Sequence, residues 1–242
     1  FKNIQHRKAA QDSKRAKVFT KLLREVVTAA KSGMPDPEFN PRLRMALAAA
    51  RAANMPKANL ENALKRATDP NSGENYDEMR YEGFGPGGVA IIVEALTDNR
   101  NRTASEVRAA FSKAGGMLGE TGSVSYLFSQ AGCITYDRPD LDPNIVIDAA
   151  IEVGANDVVS DENTHTIYTS VQELGGVRDA LVQKFGDVSS SKLTWIPLNT
   201  TVIEDLELAT KISKLVETLE DNDDVQEVYT NCDFSDDVAE KL

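Results

Sequence analysis

Residues 132–198 read GCITYDRPDLDPNIVIDAAIEVGANDVVSDENTHTIYTSVQELGGVRDALVQKFGDVSSSKLTWIPL. Strands are predicted at Cys133 to Tyr136, Asp157 to Ser160, Thr166 to Val171 and Ser189 to Ile196, and helices at Pro143 to Val153 and Leu174 to Phe185. That β-α-β-β-α-β order is the order of a ferredoxin-like unit. It is also complete, so the segments on either side must belong to something else. Upstream, Met79 to Phe84 and Val89 to Leu96 read as strands joined by Gly85-Pro86-Gly87-Gly88, followed by a helix from Thr103 to Ala114 and a strand from Ser123 to Phe128. Thr103 and Glu106 have capping-box spacing, and Gly115-Gly116 closes the helix. Downstream, a strand at Thr200 to Ile203, a helix at Leu206 to Glu220 and a strand at Val225 to Tyr229 supply the α-β ending that the upstream part lacks. The acidic tail from Asp233 is expected to fray.

Further outward, Asn3 to Lys31 reads as one helix. At about 100° per residue, Phe19, Leu22, Leu23, Val26 and Ala30 gather on one side, with Arg7, Lys14, Lys17, Lys21 and Arg24 roughly opposite. Gly33, Pro35, Asp36 and Pro37 interrupt it, and Asn40-Pro41 reads as an N-cap followed by the first residue of a helix to about Ala53. Asn54 can end that helix and Pro56 start a third, through Ala67. Thr68 to Tyr76 is a linker of turn residues. The fold class is therefore α+β, an N-terminal three-helix domain followed by two ferredoxin-like (split βαβ) α+β domains, one inserted into the other. Its divisions are 1–75, 76–130 plus 199–242, and 131–198.

Charge divides the same way. Residues 1–68 hold 15 basic and 5 acidic side chains, +10, and the remainder 12 basic and 33 acidic, −21, so a formal charge of −11 conceals a basic head on an acidic body. Arg42, Arg44, Arg51, Lys57, Lys65 and Arg66 extend the positive charge of the first helix over two more. A solvated face is the bland reading of a charged helix; an uncompensated one repels itself and favours a polyanionic partner. The head lacks Trp and Tyr, which weakens a membrane reading and makes phosphate contact more natural than base stacking. Lys57 sits in a first helical turn, where the dipole prefers acids; a docked phosphate would explain it as well as an exposed lysine would. Arg100 and Arg102 flank another helix N-terminus and offer a second phosphate point, or pair structurally with Asp98 or Glu94.

Other chemistries find no support. Gly83 to Gly88 matches G-x-G-x-x-G formally, but an apolar strand follows instead of the helix that a dinucleotide site needs, so a hairpin is the better reading. His6 and His165 lie on different domains and suggest no catalytic base. Asp221-Asn222-Asp223-Asp224 lacks the glycine and distant glutamate of a calcium loop and reads as a helix-to-strand turn. Trp195 reads as core or interface packing. Two cysteines ninety-nine positions apart form neither a zinc cluster nor a disulfide framework and indicate a reduced, cytoplasmic setting. The longest apolar run is far below the roughly 20 residues of a membrane span.

Asn3 to Lys17 (NIQHRKAAQDSKRAK), Asn54 to Arg66 (NMPKANLENALKR), Tyr81 to Gly88 (YEGFGPGG) and Leu96 to Thr103 (LTDNRNRT) together resemble the YebC/PmpR family, which includes the mitochondrial translational activator of cytochrome c oxidase. The resemblance is strongest through Tyr126 and implies a three-domain, non-enzymatic nucleic-acid-binding regulator; from the residues themselves no cofactor or metal is expected. It also implies nucleic-acid contact at Arg7, Lys8, Lys14, Arg15, Lys17 and Lys57. Where the family has a tryptophan after a short Gly-His-Ser segment, this sequence begins at Phe1.

The expected nucleic-acid-binding set is thus Arg7, Lys8, Lys14, Arg15, Lys17, Lys21, Arg24, Arg42, Arg44, Lys57, Arg100 and Arg102. The first expectation is a monomeric DNA-binding transcriptional regulator acting on the phosphate backbone. The second is a translation factor binding ribosomal or transfer RNA on the ribosome, and the third a module docking an acidic protein; a membrane, a small-molecule substrate and enzymatic activity are not expected.

Overall fold

The computed structural model describes residues 13–242, with side chains from residue 16 onward. Within it, α1 (Ser13–Ser32), α2 (Pro41–Ala52) and α3 (Lys57–Thr68) form the head. Their core is rich in alanine, with Val26, Val27, Ala29, Ala30, Leu43, Ala46, Leu47, Ala50, Leu60 and Ala63 all buried. Small side chains bring three short helices into contact without large aromatic anchors. Asn40 fixes the α1–α2 corner: its Oδ1 accepts from Leu43 N at 3.0 Å, and its Nδ2 donates to the carbonyls of Ala29 and Met34 at 2.8 Å each. Asn54, at φ +59°, turns the chain out of α2 in the left-handed region that asparagine tolerates.

The enclosing body begins with the hairpin β1 (Asp77–Phe84) and β2 (Ala90–Thr97), continues through α4 (Arg100–Lys113) and the short β3 (Met117–Leu118), and resumes near the C-terminus. There it adds β8 (Thr201–Ile203), α7 (Leu206–Asp221), β9 (Val225–Thr230), β10 (Cys232–Phe234) and α8 (Asp236–Ala239). Its main sheet has the order β3-β1-β2-β9, every pair antiparallel. Strand β2 is covered on both faces, which is why Ala90–Val93 reads as an unbroken apolar run. Ile91 and Val93 pack with Val107 and Phe111 of α4 and with Ile212, Leu215 and Leu219 of α7. On the opposite face Ala90, Ile92 and Tyr229 meet Val124, Phe128 and Trp195.

Between β3 and β8 the chain makes β4 (Phe128–Tyr136), α5 (Pro143–Glu152), β5 (Asp157–Ser160), β6 (His165–Thr169), α6 (Leu174–Phe185) and β7 (Ser190–Pro197). The antiparallel sheet order is β5-β6-β4-β7, with Ile134, Tyr136 and Ile167 packed on Val146, Ala150, Val177 and Leu181 of the two helices. His165 is enclosed here, its ring nitrogens bonded to Ser160 Oγ and the Arg138 carbonyl.

Four local expectations are corrected. The enclosing sheet does not follow a plain β-α-β-β-α-β path, because its second inner strand, β1, comes first in the chain and pairs with β2 as a hairpin. Ser123 to Phe128 is not a strand: a 3-10 turn occupies Ser125–Leu127, and β4 starts at Phe128 and runs unbroken to Tyr136. Asn99, not Thr103, caps α4, accepting from Arg102 N at 3.1 Å. The tail from Asp233 is docked rather than frayed, since β10 pairs in parallel with β8 and Phe234 and Val238 are buried in the main core.

The glycines around the hairpin allow β3 to close on β1. A Cβ on Gly116 would lie 2.5 Å from the Phe84 carbonyl oxygen, and one on Gly83 2.6 Å from that of Met117. Both clashes are with backbone, which cannot step aside as a flexible side chain would. Gly116→Ala is expected to lower the free energy of unfolding by about 2 kcal/mol through overpacking, measured by urea denaturation. Gly176→Ala in α6, where a Cβ meets nothing within 4 Å, should instead stabilise by about 0.5–1 kcal/mol.

Candidate nucleic-acid interface

The cationic stripe of α1 meets the C-terminus of α7. A helix end leaves its last carbonyls without intrahelical donors and carries partial negative charge. Lys17 Nζ donates to the Asp221 carbonyl at 3.0 Å, and Lys21 Nζ to that of Glu220. One turn further on, Arg24 Nη1 donates to Asp224 Oδ1 at 2.7 Å and to the Leu96 carbonyl at 2.9 Å, while its guanidinium lies 5.0 Å from the centre of the Tyr76 ring. In return, Gln226 Nε2 donates to the Lys21 carbonyl at 3.0 Å.

Asp224 is the meeting point. Its side chain is only 4% exposed and accepts from Arg24, from Arg102 Nη2 at 2.9 Å and from the Thr103 hydroxyl at 2.8 Å. Burial alone would raise its pKa, but the bonds from Arg24, Thr103 and Arg102 outweigh burial and hold the carboxyl below the usual range. Its backbone carbonyl also accepts from Leu96 N at 2.8 Å. Thr103, expected as a cap, serves this carboxylate, and Glu106 accepts from Asn222 Nδ2 at 2.6 Å. Around Asp224 opens a cleft of about 540 Å³ whose charged lining is Lys17, Arg24 and Arg102 set against Asp98, Glu106, Asp221 and Asp223.

The other expected cations are dispersed. Arg42 Nε pairs with Glu25 at 2.8 Å and its Nη2 with Glu78, which with burial opposing them raises its pKa further. Arg44 donates to the carbonyls of Pro37 and Glu38 at 3.0 and 2.9 Å. Arg100 pairs with Asp77 at 3.0 Å, and Arg102 with Asp98 at 2.7 Å as well as with Asp224. Lys57 is 89% exposed and only loosely paired, 3.6 Å from Glu61. Arg51 and Lys65 are exposed and have no ion pair among the described residues. Arg7 and Lys8 lie outside the described residues; Lys14 and Arg15 are on α1, with their side chains outside that description.

Two arrangements escaped sequence reading. Glu82, within the YEGFGPGG stretch, has a fully enclosed side chain that accepts from the backbone N–H groups of Gly122 at 2.7 Å, Val124 at 3.2 Å and Ser125 at 2.6 Å, with Arg80 Nε at 3.2 Å. Burial opposes ionisation, yet these donors outweigh it and keep the pKa below the ordinary value. The stretch is thus a structural clamp on the loop leading to β4. At the sheet-to-sheet junction Trp195 Nε1 donates to Glu94 at 2.8 Å beneath the Arg80 guanidinium, and Lys192 pairs with Glu227 at 2.6 Å. Trp195 is interface packing, and burial raises the Glu94 pKa. Among the described residues no group of three or more His, Cys, Asp or Glu side chains is placed to hold a metal, and no helix is long and apolar enough to cross a membrane.

Two family models cover this layout, the TACO1/YebC protein N-terminal domain over residues 1–70 and the TACO1/YebC second and third domain over residues 76–232. The chain belongs to the TACO1/YebC family. Its similarity to individual members is full-length: 57% identity over 241 residues, 99% of this chain and 95% of the relative, to a "Probable transcriptional regulatory protein" of Rickettsia rickettsii (strain Sheila Smith). A protein of the same description from Rickettsia bellii (strain OSU 85-389) is 54% identical over 242 residues, 100% of this chain and 94% of its own. The crystal structure of a conserved hypothetical protein from Aquifex aeolicus superposes with a TM-score of 0.88 at 46% identity, covering 93% of each chain. The TACO1/YebC family is non-enzymatic.

Glu82 gives a pH signature. Because its folded pKa is depressed, the unfolded chain binds more protons in acid, so this stabilisation is full above the unfolded value of about 4.3 and is lost as pH falls toward the folded one. Glu82→Gln should cost about 3 kcal/mol at pH 7, and the gap to wild type in urea unfolding should narrow steadily below about pH 4.

Proposed function

We propose that this TACO1/YebC protein is a transcriptional regulator that binds duplex DNA through the phosphate backbone, using its helical head. The carrying observation is the positive surface of α2 and α3 that the body leaves uncovered: Arg51 and Lys65, exposed and without ion pairs among the described residues, and Lys57 at the first turn of α3. That turn has Pro56 as its cap residue, no capping side chain and no acid, so its free amides and Lys57 together suit an anion. The names of the Rickettsia relatives support the regulatory reading. The head lacks the aromatic interleaving of a base-stacking surface, which favours contact with little sequence choice. The acidic body, with the unit of residues 131–198 set inside the enclosing one on this reading, then holds the head and faces away from the nucleic acid. A monomer working in the cytoplasm completes the proposal.

A second reading, an RNA-binding factor acting in translation on the ribosome, is favoured by one observation: the body's strong negative charge, which a long duplex would repel. Fluorescence anisotropy of a 30-base-pair duplex and an RNA hairpin across a salt series decides between contact and no contact. Neutralising about six phosphates should give a log-log slope near −5 on the duplex. Arg51→Glu/Lys57→Glu/Lys65→Glu should weaken binding at least tenfold and flatten the slope by about 3. Absence of salt-dependent binding to either polymer would refute both readings. Tight co-sedimentation with ribosomes, alongside weak duplex binding, would displace the first in favour of the second.

A further inference from the structure

Lys17, Lys21 and Arg24 recur at i, i+4 and i+7, one stripe about 10 Å long on α1. All three are engaged by a single short stretch of the body, residues 220–224. The ligands they find there are the carbonyl oxygens of Glu220 and Asp221 at a helix C-terminus and the carboxylate of Asp224. A row of negative oxygens presented to a row of cations is what a phosphodiester backbone would also present. Resting on the reading that the head binds nucleic acid, we infer that the 220–224 turn occupies the polyanion-binding stripe of α1 as an internal competitor, and that nucleic acid engages Lys17, Lys21 and Arg24 only when the head swings off this turn.

Two features make the exchange physically reasonable. The contact between α1 and the turn is made of ion pairs and hydrogen bonds, whereas the head keeps its own apolar cluster from Val26 to Ala63 and does not depend on the body for a core. The cleft beside the contact is already open to solvent, and Asp221 and Asp223 at its rim are exposed. An incoming phosphate backbone can therefore approach Lys17 from the cleft and displace the turn from that end. The head's apolar contact with the inserted sheet is through Met45, half-buried beside Ser191, which leaves an attachment when the polar contact opens.

The experiment closes the contact covalently. Lys17→Cys/Asp221→Cys, joined by a short bis-maleimide, locks α1 to the turn, and the native Cys133 and Cys232 are buried and stay out of the reaction. The same double variant capped with a monofunctional maleimide is the control. Binding of the 30-base-pair duplex and the RNA hairpin should fall at least tenfold on locking relative to the control. In the wild-type background, spin labels at Ala52→Cys and Lys113→Cys should move apart when duplex is added. Asp221→Asn/Asp223→Asn should raise affinity at least threefold more than Asp236→Asn/Asp237→Asn, which removes the same charge away from the cleft. Equal binding by the locked and control proteins overturns the inference while leaving polyanion binding by the head intact. Absence of binding in wild type as well overturns the functional reading, and this inference with it.

Discussion

A carboxylate withdrawn from water must be met by donors or it will not stay ionised, and Asp224 is where this constraint organises the molecule. Its carboxylate collects Arg24 from the head and Arg102 and Thr103 from the start of α4, and its backbone carbonyl accepts from the N–H of Leu96 at the end of β2. Each partner lies more than a hundred residues from Asp224 in the chain, so the site exists only when head, sheet and C-terminal helix are all in place. Removing one partner leaves the others desolvated and unmatched, which is why such networks act as registration points rather than as simple sums of contacts.

The same network redistributes the charge on which a nucleic-acid reading depends. Viewed as a helix alone, α1 offers a continuous cationic stripe. In the folded protein the inner part of that stripe caps α7 and pairs with Asp224, and Arg42, Arg100 and Arg102 are likewise matched by carboxylates. What stays exposed on α2 and α3 is Arg51, Lys57 and Lys65. Positive charge in the head is therefore of two kinds: cations that fasten the head to an acidic body, and cations left exposed, on which the proposed function rests.

Much of this was legible from residues alone. Asn40-Pro41, Asn54 and the Gly85 to Gly88 turn marked element ends because each encodes a specific backbone geometry, and the alternation through residues 132–198 gave the inserted unit element by element. The misreadings have physical causes. Thr103 and Glu106 have the spacing of a capping box, but a carboxylate 121 positions away claims the threonine. The tail after Asp233 is acidic, yet Phe234 on β10 and Val238 on α8 are buried in the main core. Asp224 reads from sequence as one more acid in a turn, and nothing in the YEGFGPGG stretch singles out Glu82. Nothing local distinguishes a buried carboxylate from a solvated one when its donors arrive from remote segments. For the same reason the cations of α1 could be counted in the sequence but not sorted into those facing the body and those facing solvent.

Whether the Arg24–Asp224 pair truly ties head to body is measured by a double-mutant cycle in urea unfolding, with Arg24→Met, Asp224→Asn and the combination. A buried, hydrogen-bonded pair that registers two domains should show a coupling energy of at least about 1.5 kcal/mol. A coupling within about 0.5 kcal/mol of zero, the additivity of independent sites, would mean that the two groups do not depend on each other and would contradict the account.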